Sequence, residues 1–246
     1  MKSKNQRKTD AVIFRALGFL IAVSGVIVRL FDASLSGNAF IYFDMQVAVI
    51  IAISFAALLT LTVISVIKNG QIGDSPTFSF TAHYLLVALT VADAVIFWSI
   101  ISWAIIPSGF LFTPSKIIIH GFLPVIVVID WFLFCPHGKL SFISSVFSLL
   151  YPAVYYVFAF IISTTGLKFG EGTYGEFYRE IFYPYFFLQE NAVGGLFYLF
   201  LILIAFAAAF YAFSIVTYFA DGLLARDKKK KAQSFYDPEK EKKKRK

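Results

Sequence analysis

The chain holds one cysteine, Cys135, and little charge: 22 Lys and Arg against 15 Asp and Glu in 246 residues, or 15% of the whole. A lone cysteine excludes an intrachain disulfide and a zinc site built on paired cysteines. A soluble domain carries about 25% charged residues, so this chain has too few to cover a water-facing surface, and lipid must cover much of it. Also missing are a phosphate-binding loop, a dinucleotide glycine pattern, HExxH and GxSxG; no metal and no cofactor is expected. The alternation of a membrane barrel is absent, as are the paired broken helices and inverted repeats of a transporter core. No small-residue cleavage site follows MKSKNQRKTD, and the apolar run behind it is too long for a signal peptide. It reads as a retained first span.

What is present is hydrocarbon. The composition is 59% hydrophobic and 19% aromatic, with a mean hydropathy of +0.75. A membrane helix needs about 20 mostly apolar residues. Six stretches qualify: Ala11–Phe31, Phe43–Ile67, Phe80–Ile106, Ile117–Cys135, Phe142–Thr164 and Ala192–Ala220. The fold class is all-α, a polytopic membrane bundle of six transmembrane helices. Residues 1–10 form a basic N-terminus, 11–222 the membrane domain, and 223–246 a basic, disordered tail.

Basic residues set the orientation. With both ends inside, the inner segments hold Lys2, Lys4, Arg7, Lys8, Lys68, Lys139 and eleven basic residues after Leu224, while the outer ones hold Lys116, Lys168 and Arg179. That excess predicts cytoplasmic termini and a plasma-membrane protein. The net charge of +7 is concentrated in the tail, which points to anionic lipid headgroups as partners rather than nucleic acid. The protein partner is left open. The outer segment between spans five and six is rich in Gly and aromatics and ends in Tyr183-Pro184-Tyr185-Phe186. Such a rim fits the membrane interface and could equally cap a cavity.

Charged groups in hydrocarbon are costly and usually face the protein interior. Arg29 ends span one, Asp44 and Gln46 begin span two, His120 lies in the first turns of span four, and Tyr183 and Tyr185 precede span six. Depth brings all of these to one level near the outer side. Two readings follow: a site with His120 as acid or base, or structural pairing of Arg29 with Asp44 or Asp32 while His120 hydrogen-bonds at the interface. On the inner side His83 and Asp130 suggest a pair locking spans three and four. Asp93, mid-span, has no evident partner; protonation, pairing with Gln46 or Ser99, or contact with cavity water are the options. Arg15 is expected to snorkel to the surface. Pro124 and Pro152 are expected to kink their helices, freeing a carbonyl and making room for a cavity. Gly194 and Gly195 suggest close helix approach.

Three patterns, FIYFDMQ (Phe40–Gln46), HGFLPVIVVIDWFLF (His120–Phe134) and the pair YPAVYY and YPYFF (Tyr151–Tyr156, Tyr183–Phe187), together resemble the bacterial six-span family called Pr-six-Pr. That family is distantly similar to the eukaryotic androgen-induced membrane proteins, described as intramembrane hydrolases of fatty-acid esters of hydroxy fatty acids. The resemblance implies a histidine in span four, where His120 falls, and a threonine nucleophile at or before span two. The bacterial pattern reads Tyr-Phe-Thr there, whereas this chain has Tyr42-Phe43-Asp44. An aspartate in that place could serve as nucleophile or orient a water, or mark a protein without the hydrolase activity.

Three functions are therefore carried forward. The first is a lipid-ester hydrolase with His120 and Asp44 in catalytic roles and Arg29, Gln46, Tyr183 and Tyr185 around the substrate. The second is a non-catalytic protein that binds membrane lipids or a partner. The third is a small carrier with Asp93 as proton relay. An approach of His120 and Asp44 to within about 4 Å beside a lipid-accessible cavity favours the first over the second.

Overall fold

The computed structural model describes residues 8–32, 39–102, 112–174 and 177–235. Among them six helices are long and apolar enough to cross a bilayer. They are α1 (Lys8–Leu30), α2 (Phe43–Asn69), α3 (Phe80–Ile96), α4 (Pro114–Phe134), α5 (Ile143–Ser163) and α6 (Leu196–Phe235). Each starts within four residues of its expected position. The chain is thus an all-α membrane bundle, multi-pass as its hydropathy requires. Residues 103–106, counted in the third expected span, lie outside the described residues.

Successive helices run up and down. At the end holding the start of α1 and the late turns of α6, the Lys8 amide donates to Gln71 O at 2.8 Å, Lys139 sits 4.4 Å over the Phe80 ring, and His137 meets Asp221. This is called the terminal end below, and the opposite one the far end.

Helix α1 buries one stripe, Ala11, Arg15, Gly18, Ala22, Gly25 and Arg29, at spacings of three and four that keep one face inward. Small residues along it let α2 lie close. A Cβ built on Gly18 would collide with Phe55 Cε1, and Phe55 is fully buried. Replacing Gly18 with leucine is expected to cost about 1–3 kcal/mol by overpacking, read as a lower midpoint of thermal unfolding in detergent; an unchanged midpoint would contradict this packing.

Helix α3 is central, more than half buried along its span. Leu86, Val87 and Ala92 meet Ile51 and Phe55 of α2, Leu123 and Val127 of α4, and Phe210 of α6 in one cluster. Tyr84 is fully buried and donates its hydroxyl to Ser214 O at 2.5 Å, which ties α6 to α3. Elsewhere α5 and α6 are peripheral, with Val154, Val157, Phe160, Ile204 and Phe219 more than half exposed. In a bilayer these side chains meet lipid tails.

Three spans are locally rewound. Helix α3 continues through a π turn at Phe97–Ile101, and α4 contains another at Ile118–Phe122. Helix α5 passes through a tighter 3-10 turn at Phe147–Leu149, just before Pro152. The connection from α5 to α6 is not plain coil: Gly170–Tyr174 pairs antiparallel with Phe177–Ile181, and short helical turns follow at Phe186–Leu188 and Glu190–Val193. Gly194 and Gly195 serve this connection rather than helix approach. Their φ of 94° and 114° suits residues without a Cβ, and a Cβ built on Gly195 would meet no neighbour within 4 Å.

The last helix runs past the expected boundary at 222. Helix α6 runs on to Phe235 and takes in the first part of the basic tail. Ala, Arg, Lys and Gln there are good helix formers, so the helix outlasts the apolar span. Residues 236–246 lie outside the described residues.

Candidate functional site

The far-end site begins with Pro124. Proline has no amide hydrogen and its ring displaces the carbonyl four residues back, here that of His120. The preceding turn opens into the Ile118–Phe122 π turn, and the His120 carbonyl accepts a hydrogen bond from Trp98 Nε1 at 2.9 Å instead. Trp98 belongs to the facing π turn of α3. Its neighbour Phe97 lies flat on the His120 imidazole, with centroids 3.7 Å apart and planes within 5°. Phe97 thus holds one face of the ring and Trp98 the backbone that carries it, and π turns are frequent at functional sites.

Both ring nitrogens face carboxylates. His120 Nδ1 is 3.0 Å from Asp93 Oδ2, and Nε2 is 3.7 Å from Asp44 Oδ2. The second distance suits an ion pair but not a hydrogen bond, and Nε2 has no hydrogen-bond partner among the described residues. A neutral imidazole can donate to only one carboxylate, a protonated one to both.

Asp44 is held in turn. Arg29 Nη2 lies 2.7 Å from its Oδ2, the Met45 amide donates to Oδ1 at 2.9 Å, and the Tyr185 hydroxyl approaches Oδ1 at 3.5 Å. Arg29 also pairs with Asp32 at 3.2 Å, and Ser115 Oγ donates to that carboxylate at 2.5 Å. Burial, then the neighbouring Asp44 carboxylate, hold the Tyr185 phenol well above the usual tyrosine range, so it stays a hydrogen-bond donor. The order of contact from the far end inward is Asp32, Arg29, Asp44, His120, Asp93.

Asp93 faces a cavity of about 310 Å³. Its other walls are apolar and aromatic: Phe43 of α2, Pro152, Ala153, Tyr155 and Tyr156 of α5, Tyr185 and Leu188 of the connection, and Leu203, Phe206, Ala207 and Phe210 of α6. The aromatic segment before α6 therefore caps a cavity. Pro152 lines it too, where the 3-10 turn re-aims α5.

Of the expected site residues, Arg29, Asp44, His120 and Tyr185 come together. Gln46 stands one step aside, accepting from the Tyr151 hydroxyl at 3.0 Å and donating to Phe40 O at 3.1 Å. Tyr183 packs against the cluster of Tyr155, Ala159 and Leu188. Asp93, read as a secondary polar group, belongs to the centre. Its partner is His120 and not Gln46 or Ser99, whose hydroxyl donates to Val95 O.

A second cluster lies nearer the terminal end. Arg15 does not snorkel: it is fully buried and bonds Asp130 twice, Nε to Oδ1 at 2.8 Å and Nη2 to Oδ2 at 3.2 Å. Its Nη1 donates to Thr62 Oγ1 at 2.6 Å and Pro76 O at 2.8 Å. The late turns of α2 and the α2–α3 loop close over it, so water is out of reach. His83 joins through Nε2, 3.4 Å from Asp130 Oδ2, while Thr77 Oγ1 meets its Nδ1 at 3.3 Å. None of these residues lines the far-end cavity, and their geometry is that of a lock joining α1 to α4.

A third pair was not foreseen. His137 Nδ1 lies 3.0 Å from Asp221 Oδ1, and the Gly138 amide donates to Asp221 Oδ2 at 2.8 Å. The lone acid near the end of span six was the available signal, since an acid there must find a partner. Among the described residues no group of three His, Cys, Asp or Glu could hold a metal ion. No family model, curated protein or solved structure matches the chain.

Proposed function

We propose that this protein is an integral membrane hydrolase of lipid esters, with Asp93 at the reacting atoms and His120 positioning it. The observation that carries the reading is the Asp93–His120 pair, 3.0 Å apart, at the wall of an apolar cavity within the spanning region. An ester carbonyl held beside Asp93 meets a carboxylate whose Oδ2 is taken by the imidazole, leaving Oδ1 for water. Asp93 takes a proton from water as the water oxygen bonds to the carbonyl carbon. The bond from that carbon to the alcohol oxygen then breaks, and the alcohol oxygen takes the proton back. One ester and one water become one acid and one alcohol. Tyr185 lines the cavity, and its hydroxyl, turned from Asp44 Oδ1 at 3.5 Å, donates to the charge that develops on the carbonyl oxygen. Asp44, tied to Arg29 at 2.7 Å, supports the imidazole rather than attacking.

The test is fatty-acid release from a panel of lipid esters by the purified protein in nanodiscs. Asp93→Asn is expected to lower the rate about 100-fold with an unchanged unfolding midpoint. Equal rates in the two proteins would dismiss the hydrolase. A non-catalytic lipid-binding protein is the second reading. It is favoured by the engaged phenols near the cavity: Tyr155 donates to Ile41 O and Tyr151 to Gln46. It predicts lipid retention with no acid released by the wild-type protein.

The same proposal includes membership of the Pr-six-Pr family, supported by the six spans and by His120 beside the Asp44 position. It also includes a plasma-membrane location with the terminal end in the cytoplasm. In support, 17 basic residues lie in the segments on that side and 3 on the other.

A further inference from the structure

We infer that the ligand of this site is the acyl chain of an uncharged lipid, which enters sideways from the bilayer through a gap between α5 and α6. The inference names the substrate class of the site and, for the fate of the ester alone, rests on the hydrolase reading above.

The gap follows from how the two helices meet. Helix α6 packs on the first turns of α5, Ile143–Val146 and Phe147–Leu149. Beyond Leu149 the two helices part, and the cavity occupies the space between. Pro152, Ala153 and Tyr156 form its α5 wall, and Leu203, Phe206 and Ala207 its α6 wall. The outer faces beside these walls, Val154 and Val157 on α5 and Phe200 and Ile204 on α6, are all more than half exposed. Hydrocarbon is their solvent, so the cavity opens onto lipid tails and not onto water.

Volume and charge narrow the occupant. At about 310 Å³ the cavity is at the low end for ligand sites. With ~30 Å³ for a group the size of water, it takes a segment of roughly ten heavy atoms. A longer chain must leave part of itself in the gap, as a lateral entry allows. Among the described wall residues Asp93 is the one ionisable group besides tyrosines, and no Lys, Arg or His lines the cavity. An anionic head or a free fatty-acid carboxylate would have to shed its water in an apolar cavity whose described lining offers no cation to pair with it, which is strongly unfavourable. A neutral ester meets no such barrier. The acid released from it, once ionised, finds no counter-ion among the described lining residues, which clears the cavity for another turn.

Photolabelling tests this without requiring turnover. The full chain in phosphatidylcholine nanodiscs is loaded with a diacylglycerol bearing a diazirine in one acyl chain, or with the matching diazirine fatty acid, then irradiated and mapped by peptide mass spectrometry. The neutral probe is expected to label Asp93 or Ile96, both inside the cavity, about tenfold more than the fatty acid does. Ala207→Trp, which fills the α6 wall, is expected to reduce that labelling about tenfold while leaving lipid-facing Phe200 labelled as before. Ala153→Trp serves if the first variant does not fold. Background labelling of Asp93 and Ile96, equal labelling by the fatty acid, or indifference to both tryptophans would overturn the inference. Labelling that persists where no ester is hydrolysed would remove the hydrolase and leave the ligand in place.

Discussion

Replacing Asp130 with alanine will destabilise the bundle by about 3–5 kcal/mol, because it leaves a buried guanidinium without its counter-ion. Arg15 and Asp130 are both fully buried and make two hydrogen bonds to each other. Thr62 and Pro76 can still accept from Arg15, but neither neutralises its charge. His83, left beside an uncompensated cation, will not replace the carboxylate. Removing both charges is a different experiment. Arg15→Met with Asp130→Leu is expected to recover most of the loss, since a well-packed apolar pair can match a buried ion pair. Unfolding midpoints of the three variants in one detergent supply the comparison. The surface pair of Lys168 and Glu180, 49% and 40% exposed, sets the scale, since breaking such a pair changes stability by at most about 1 kcal/mol. An Asp130→Ala loss no larger than that would mean the lock carries no weight.

The second large effect belongs to His120. His120→Ala is expected to lower ester hydrolysis about 100-fold. The variant removes three things together: the hydrogen bond to Asp93, the charge complement to Asp44, and the face on which Phe97 stacks. Stability will fall too, so the melting midpoint must be measured beside the rate. His120→Gln separates the effects, because its amide can still donate to Asp93 but cannot carry a positive charge. Recovery of the midpoint without recovery of rate would place the imidazole's charge in the mechanism. Residues that act as a unit are not additive. The double variant Asp93→Asn, His120→Ala should therefore be no slower than either single one.

The six spans were legible because hydrocarbon imposes a length and a composition that no tertiary contact overrides. The far-end level was legible from depth alone, and Arg29, Asp44, His120 and Tyr185 do converge. The pairing of His120 with Asp93 was not. The two residues are 27 positions apart, and two π turns change which faces of α3 and α4 look at each other; a regular helical register cannot foresee that. Arg15 misled for a related reason. Its place near a helix end suggested a route to water, but the α2–α3 loop, through Pro76, closes over it. Pro124 was the more reliable guide, since a proline in a span must release a carbonyl and some donor must answer it. The donor proved to be Trp98.

The central claim is that Asp93, held by a histidine set between two carboxylates, performs chemistry on a lipid that reaches it from the bilayer. Its most direct measurement is the initial rate of fatty-acid release from a diacylglycerol in nanodiscs by four proteins: wild type, Asp93→Asn, His120→Ala and the double variant. The account predicts measurable release by the wild type, a loss of about 100-fold in each single variant, and no further loss in the double. No release by the wild type, or a rate that survives in His120→Ala, would contradict it.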